Sequence, residues 1–250
     1  MTGEPSIVVV DAENEAGDGF LESIRTACTD VRVESPDTVT GDSSGAIDVI
    51  VTRGRSSFRS VAIRGPDAPI LPVDAGIGGT DVSPDAVGSA LRSVVDGVVQ
   101  RETHPVFSVS TADEQIGTGV FDCSLCSATP ARISEYRVST VTRQELVTVR
   151  ADGIVVATPA GSHGYARNAG GPFLSPETGL VVVPISPFQT AHDRWVVPID
   201  RVSLSVRRDD VPISVRVDGA ERGRIDGTGT VVVEPTDTIE VVVPEGRLAQ

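Results

Sequence analysis

The chain has 250 residues, 39% of them apolar, which is enough for one large domain or two modest ones with a buried core and excludes wholesale disorder. Its first twenty residues do not resemble a signal peptide and no apolar run reaches membrane-spanning length, so we expect a cytoplasmic protein without a membrane partner. Asp and Glu total 35 against 21 basic residues, all Arg, and the net charge of −14 opposes binding to nucleic acid. This composition is typical of a high-salt cytoplasm, where a Debye length of about 3 Å screens the excess carboxylates.

The first hundred residues alternate between short apolar runs and helical patterns. Apolar residues repeat at helical spacing from Phe20 to Cys28, and again from Val87 to Val98 behind a Ser83-Pro84 helix start. Buried strands are predicted at Ile7–Val10, Val31–Val33, Val49–Val51 and Ile70–Val73. Strands that alternate with helices predict a Rossmann-like parallel α/β domain, which we assign to residues 1–98.

After residue 98 the pattern changes to Val- and Thr-rich runs separated by Gly, Pro and Asp turns, without a convincing long helix. Strands are predicted at Thr118–Leu125, Arg132–Val141, Leu146–Val149, Ile154–Ala157, Leu180–Val183, Val202–Val206, Ile213–Val217, Val231–Val233 and Ile239–Val243. This density of short strands predicts a β-sandwich over residues 99–250. The predicted fold class is therefore α/β followed by all-β, with the cleft between the domains as the default ligand site.

The three cysteines, Cys28, Cys123 and Cys126, argue against a disulfide framework. Cys123 and Cys126 have the CxxC spacing of some metal and redox sites. They lie in a strand pattern, however, where positions i and i+3 point to opposite faces, and no second CxxC completes a zinc site. We interpret them as buried structural thiols and predict no metal site.

The segment over residues 150–172 is the richest in groups that could carry chemistry. A buried strand runs into a turn crowded with Gly, Ser and Thr. The glycines allow close approach of a ligand, and Ser162, Tyr165 and Asn168 offer hydrogen bonds to a polar small molecule. The alternative is a tight loop with solvated hydroxyls. A hydrolase built on the adjacent Ser162 and His163 is a weaker hypothesis, since the segment does not match GxSxG.

The order of these residues is more specific than their composition. Asp152-Gly, then Thr158-Pro-Ala-Gly-Ser-His-Gly-Tyr165, then Ala169-Gly-Gly-Pro172 resembles the NAD kinase family. Phe121-Asp122, Val181–Pro187 and Arg216–Gly219 resemble further segments of that family, and the likeness covers roughly residues 45 to 235. It implies the α/β-plus-sandwich fold, a homo-oligomer, and transfer of a phosphoryl group from ATP, accompanied by Mg²⁺, to the 2′-hydroxyl of NAD.

The resemblance also implies which residues of the second domain bind NAD. They are Asp122, Arg132, Arg150, Asp152, His163, Gly164, Tyr165 and Asn168. Asp152 corresponds to the residue that contacts the nicotinamide side of NAD, and Arg132 and Arg150 lie near ligand phosphates or ribose.

The family's GGDG motif, whose carboxylate is usually assigned as the general base, is absent from this chain. Thr52–Phe58 stands in its place and reads as a loop: an ungapped match puts Ser56 at the position of the catalytic Asp, and a one-residue shift puts Arg55 there. Neither residue is a general base at neutral pH without special activation. The family's phosphate-binding loop implies phosphate contacts from Gly54, Arg55 and Ser57; an exposed charge in a loop is the alternative for Arg55.

Other departures lie mostly on the catalytic side. Phe121 and Asp74 replace two Asn residues of the family, His163 replaces a Thr, and the end at Gln250 leaves no room for the family's C-terminal return to the first domain. Two hypotheses remain. The chain is an NAD kinase with a rebuilt phosphate loop, or it is a catalytically silent regulatory protein that binds NAD, NADP or another nucleotide.

Overall fold

The computed structural model describes residues 5–12, 17–39, 47–129, 132–188, 193–208 and 211–244. The chain divides into two compact units, of which the first comprises Met1–His104 and Thr238–Gln250 and the second Pro105–Asp237. The expectation that the chain lacks a C-terminal return to the first domain is wrong. Val241 pairs in parallel with Ile70, and Val242 lies in the core of the first unit.

The first unit is built on a parallel sheet. Its strands are β1 (Ile7–Val10), β2 (Val31–Glu34), β3 (Val49–Arg53) and β4 (Ile70–Val73), and its helices are α1 (Asp18–Ala27), α2 (Gly54–Ala62) and α3 (Val87–Val95). The four strands pair in the order β4-β3-β1-β2, which confirms the predicted strands and the α/β class. All four residues of β1 are buried, as expected for a strand in a parallel sheet covered on both faces.

Helix α2 was not predicted. The segment that reads as a loop instead continues β3 to Arg53 and begins the helix at Gly54, whose φ of +77° is a value that favours glycine. Phe58, Val61 and Ala62 are buried at spacings of three and four residues. That buried face is short and follows a polar run, which explains why the helix was missed from the sequence.

The second unit is rich in antiparallel strands. In chain order the strands are β5 (Val99–Ser110), β6 (Gln115–Gly119), β7 (Asp122–Ser127), β8 (Ser134–Thr140), β9 (Val147–Ala157), β10 (Leu180–Pro187), β11 (Trp195–Val197), β12 (Val202–Arg208), β13 (Ile213–Val217), β14 (Ala220–Ile225) and β15 (Gly229–Pro244). Of these strands, β5 begins and β15 ends in the first unit. They pair in the order β14-β13-β7-β9-β8-β12-β15, while β10 pairs with β9 and with β11. The predicted β-rich second part is confirmed, and its core is lined mainly by Val, Leu and Ile.

Several strands differ from the predictions, and β5, β11 and β14 were not predicted. The single strand predicted over 118–125 is two strands, β6 and β7, broken at Val120 and Phe121. The two runs predicted on either side of residue 150 form one strand, β9, and the last two predicted runs form β15. The Asp152-Gly153 pair does not end β9, because β8 pairs with the first half of this strand and β7 with the second half.

The two cysteines of β7 point to opposite faces, as predicted. Cys123 is fully buried in the core, where burial and the nearby carboxylates raise the pKa of its thiol, whereas Cys126 is half-buried. Of these two cysteines, Cys123 is the buried thiol that we expected, whereas Cys126 is partly exposed. Within the described ranges no helix is long and apolar enough to cross a membrane.

Candidate functional site

The glycine-rich segment begins where β9 ends and rests on the turn between β6 and β7. The Thr158 backbone N–H donates to the Phe121 carbonyl at 2.9 Å, and the Thr158 hydroxyl donates to the Val120 carbonyl at 2.6 Å. The Gly161 N–H in turn donates to Thr158 Oγ1 at 3.1 Å. A Cβ at Gly161 would collide with the Phe121 carbonyl oxygen, so only glycine fits this approach.

Ser162 has a structural role in this segment. Its side chain is fully buried, and its hydroxyl donates to the Pro159 carbonyl at 2.7 Å and accepts from the Leu174 N–H at 3.0 Å. The hydroxyl therefore has no access to a substrate. The hydrolase hypothesis and the expectation that Ser162 offers a hydrogen bond to a ligand are both wrong.

Tyr165, the first residue of the short helix α4 (Tyr165–Asn168), lies close to side chains of β7 and β13. Its hydroxyl oxygen is 3.8 Å from Cys126 Sγ, and the charges of Asp122 and Arg216 both act on this pair. We call Asp122, Cys126, Tyr165 and Arg216 the Tyr165 cluster. Asp122 is 4% exposed and Tyr165 40% exposed, so the cluster joins a buried carboxylate to a phenol that reaches solvent.

Burial, with a smaller effect of Cys126 and Asp122, raises the pKa of Tyr165 to about 12. Burial likewise raises the pKa of Cys126. Both groups therefore remain protonated at neutral pH, and Tyr165 can donate a hydrogen bond to a ligand. The sequence singled out Asp122 and Tyr165 but gave no role to Arg216, whose segment it did note.

His163 belongs to a second group of side chains in the same segment. Its ring stacks on Phe173 with centroids 4.5 Å apart and an interplanar angle of 25°, and the Arg167 guanidinium lies 4.3 Å from the Phe173 centroid. Phe173 is 55% exposed, so this stack presents aromatic and cationic surface beside the glycine-rich turn. Neither Phe173 nor Arg167 was predicted, because nothing in the sequence indicates that they meet His163.

The remaining predicted NAD-binding residues occupy separate positions. Arg150 is exposed on β9, with its guanidinium 5.6 Å from the Phe188 ring, and Asp152 is half-buried two residues later. The side chains of Arg132 and Asn168 are exposed and form no hydrogen bond or ion pair within the part of the chain that the structure describes. Gly164 links the turn at Ala160–His163 to α4.

The predicted phosphate-binding residues lie in the first unit, at the start of α2. No side chain caps this helix, and its first turn contains no acidic residue, so its N–H groups and partial positive charge suit an anion. Arg55 reaches toward the neighbouring loop, with its guanidinium 3.7 Å from the position that a Cβ of Gly76 would take. Ser56 is exposed, whereas Ser57 is buried and its hydroxyl oxygen accepts the Ala12 N–H at 2.9 Å.

In the loop after β4, the side chain of Asp81 binds backbone N–H groups of the same loop. Asp81 accepts hydrogen bonds from the Ala75 and Gly76 N–H groups, at 2.8 Å and 2.6 Å. Burial raises the pKa of Asp81 against the lowering effect of these bonds. Asp74, at the position of a family Asn, has φ +54°, a conformation that Asn and Asp tolerate better than most residues.

Comparison with known proteins covers most of the chain. The protein-family model of the ATP-NAD kinase C-terminal domain matches residues 122–244 of this chain. The NAD kinase of Methanopyrus kandleri is 32% identical over 201 residues, which are 78% of this chain and 72% of that one. The NAD kinase of Methanosarcina barkeri is 33% identical over 187 residues, 72% of this chain and 66% of that one. The chain thus spans about two thirds of the length of these relatives.

Two solved structures share the fold. An NAD kinase from Archaeoglobus fulgidus in complex with ATP superposes with a TM-score of 0.72 at 24% identity, covering 97% of this chain and 95% of that one. The yeast NADH kinase complexed with NADH gives a TM-score of 0.75 at 17% identity, covering 98% and 86%.

Proposed function

Because this chain belongs to the NAD kinase family, we propose that it transfers the γ-phosphoryl group of ATP to the 2′-hydroxyl of the adenosine ribose of NAD, forming NADP. The observation that carries the proposal is the Tyr165 cluster, in which the Tyr165 hydroxyl lies 3.8 Å from Cys126 on β7, the strand that also carries the buried Asp122. The ATP and NADH complexes of the two structural neighbours support the choice of ligands.

The cluster supplies complementary groups for a dinucleotide. A protonated Tyr165 hydroxyl donates to an acceptor on the ligand, and the Asp122 carboxylate accepts from ribose hydroxyl or amide hydrogens. Arg216, exposed on β13, adds a positive charge suited to phosphate. Asp152 then contacts the nicotinamide side, while His163 and Asn168 line the surface around Tyr165.

The first turn of α2 is the proposed phosphate-binding element. Gly54 and Arg55 offer backbone N–H groups and a guanidinium, and buried Ser57 fixes the turn through its bond with Ala12. In the described residues no group of three or more His, Cys, Asp or Glu side chains could hold a metal ion. We propose that Mg²⁺ enters as a companion of the ATP phosphates, which is its common mode of binding.

The absence of the catalytic Asp lowers the expected rate without excluding the reaction. Loss of a positioned base typically costs about 10²- to 10⁴-fold in rate. Phosphoryl transfer depends largely on positioning and electrostatic stabilisation, both of which the α2 turn can supply. The exposed Ser56 side chain and the Arg55 guanidinium are the groups at the altered position.

The second candidate is a dinucleotide-binding protein without catalysis that acts by regulation. Ser56 and Arg55 at the position of the general base favour it. Both candidates require the Tyr165 cluster to bind the dinucleotide, and they differ only in whether the bound dinucleotide is then phosphorylated.

The test is NADP formation from NAD, ATP and Mg²⁺ in molar KCl, quantified by enzymatic cycling. We expect slow NADP formation by the native chain and its loss in the double variant Arg55→Ala, Ser56→Ala. Ser60→Ala, on the same helix but outside the proposed site, is the matched control and retains the activity. Saturable NAD binding without any NADP formation would contradict catalysis and favour the silent protein.

We also propose that the protein acts as a homo-oligomer in a high-salt cytoplasm. Among the strands that the structure describes, β11 and β14 stand at ends of the pairing order, and their edges suit pairing with a second copy. The net charge of −14 suits concentrated salt. Light scattering in molar KCl that gives a monomer mass would contradict the oligomer.

A further inference from the structure

Asp218 makes an unusual set of contacts at the tight turn between β13 and β14. Its backbone has φ +50° and is followed by Gly219 at +82°. Its Oδ1 accepts the N–H groups of Phe121 and Asp122, at 2.8 Å and 3.1 Å, and its Oδ2 accepts the Val120 N–H at 3.1 Å. One carboxylate therefore binds three consecutive backbone amides that lie about a hundred residues earlier in the chain.

The carbonyl groups of the same three residues are also engaged. The Asp122 carbonyl accepts the Asp218 N–H at 2.8 Å, and Thr158 donates to the carbonyls of Val120 and Phe121. Asp218 thus binds the three N–H groups of residues 120–122 and the carbonyl of Asp122, while Thr158 binds the carbonyls of Val120 and Phe121. This arrangement fixes the backbone that carries the Asp122 side chain.

The two partners of this turn lead to the two halves of the Tyr165 cluster. Asp122 is the first residue of β7 and belongs to the cluster itself. Thr158 is the first residue of the glycine-rich segment that leads to Tyr165. Hydrogen bonds to a charged acceptor are shorter and stronger than neutral ones, so a carboxylate holds the turn more firmly than an uncharged group would.

We propose that Asp218 is a positioning residue for the dinucleotide site: by binding the amides of residues 120–122 it sets the direction of Asp122 relative to Tyr165. The inference rests on the proposed function for the identity of the ligand. Asp218 itself acts through the turn and not by contact with the reacting atoms.

The test compares Asp218→Ala and Asp218→Asn with the native chain and with Asp226→Asn. An Asn retains one oxygen acceptor and tolerates a positive φ, so it removes part of the contact without straining the turn. Asp226 is an exposed residue before Gly227, in the next tight turn, and provides the matched control. If Asp218→Ala does not fold cooperatively, Asp218→Asn carries the test.

Three quantities are measured. We expect faster hydrogen exchange of the amides of residues 120–122, a changed ¹³C-tyrosine NMR signal of Tyr165, and an NAD dissociation constant raised about tenfold to a hundredfold, since small displacements of binding groups have effects of this size. The chain has two tyrosines, so Tyr136→Phe assigns the signal. Asp226→Asn leaves all three unchanged.

The outcomes separate the inference from the proposed function. Faster exchange with an unaltered Tyr165 signal and native NAD affinity would show that Asp218 only stabilises a turn, and would overturn the inference. If the native chain binds no NAD, the proposed function fails. The Tyr165 signal then still decides whether Asp218 positions the cluster.

Discussion

At the scale of single residues, the candidate site depends on side chains whose proximity comes from strand register. Arg216 pairs with Ser124 across β13 and β7, which brings it to the strand that carries Asp122 and Cys126. The resemblance to a family identified Asp122 and Tyr165 from the sequence. Cys126 and Arg216 joined them only in the structure, because the register of two strands some ninety residues apart cannot be read from local patterns.

Glu102 provides a prediction about pH at this scale. It accepts a hydrogen bond from Thr80 at 3.0 Å and lies 3.6 Å from His104 Nε2, and His104, more than Thr80, lowers the pKa of Glu102. A depressed carboxylate pKa stabilises the fold above the pKa of the unfolded chain, and this contribution disappears as the pH falls through the folded pKa. We therefore expect Glu102→Gln to lower the free energy of unfolding by about 1 kcal/mol at pH 7 and by less at pH 3.

Urea unfolding at both pH values measures this difference. Glu240→Gln is the control, because Glu240 forms an exposed ion pair with Arg101, and such pairs contribute little. An equal effect of Glu102→Gln at pH 7 and pH 3 would show that the loss comes from packing and not from charge.

At the scale of elements, Gly161 determines how the glycine-rich segment continues from β9. A side chain at Gly161 collides with backbone at Phe121, which cannot move away as a flexible side chain would. We expect Gly161→Ala to lower the free energy of unfolding by about 3 kcal/mol, at the upper end of the range for overpacked sites. Gly19, in α1, has open space around its Cβ position, so Gly19→Ala is expected to stabilise by about 0.5–1 kcal/mol.

Chemical denaturation of the two variants measures both effects. Similar stability of Gly161→Ala and the native chain would mean that the segment does not rest on the Phe121 turn. Gly19→Ala is the control, because it introduces the same methyl group at a position where there is space for it.

The sequence predicted elements well where the pattern is local. The four-residue apolar runs of the parallel sheet were predicted because strands covered on both faces read as continuous hydrophobic stretches. The break between β6 and β7 was not predicted, because the hydrogen bonds that hold it come from Asp218 and Thr158, which are distant in the sequence. Helix α2 was missed because its buried face includes a polar residue, Ser57.

At the scale of the whole molecule, the sequence predicted the order of an α/β part and a β-rich part but not the path of the chain end. The segment from Thr238 belongs to the first unit, and Val241 pairs with β4. A run of valines reads the same in either unit, so local patterning cannot assign it. The net charge of −14 is the reason why we propose to measure in concentrated salt, which screens it.

The measurement that tests the central claim most directly is a calorimetric titration of the native chain with NAD in molar KCl, beside Tyr165→Ala. Both candidate functions require a dinucleotide to bind at the Tyr165 cluster. We predict saturable binding by the native chain and binding at least about tenfold weaker in Tyr165→Ala, a loss of roughly 1.4 kcal/mol or more. Absence of saturable binding, or equal affinity in the two proteins, would contradict the assignment of this cluster as the dinucleotide site.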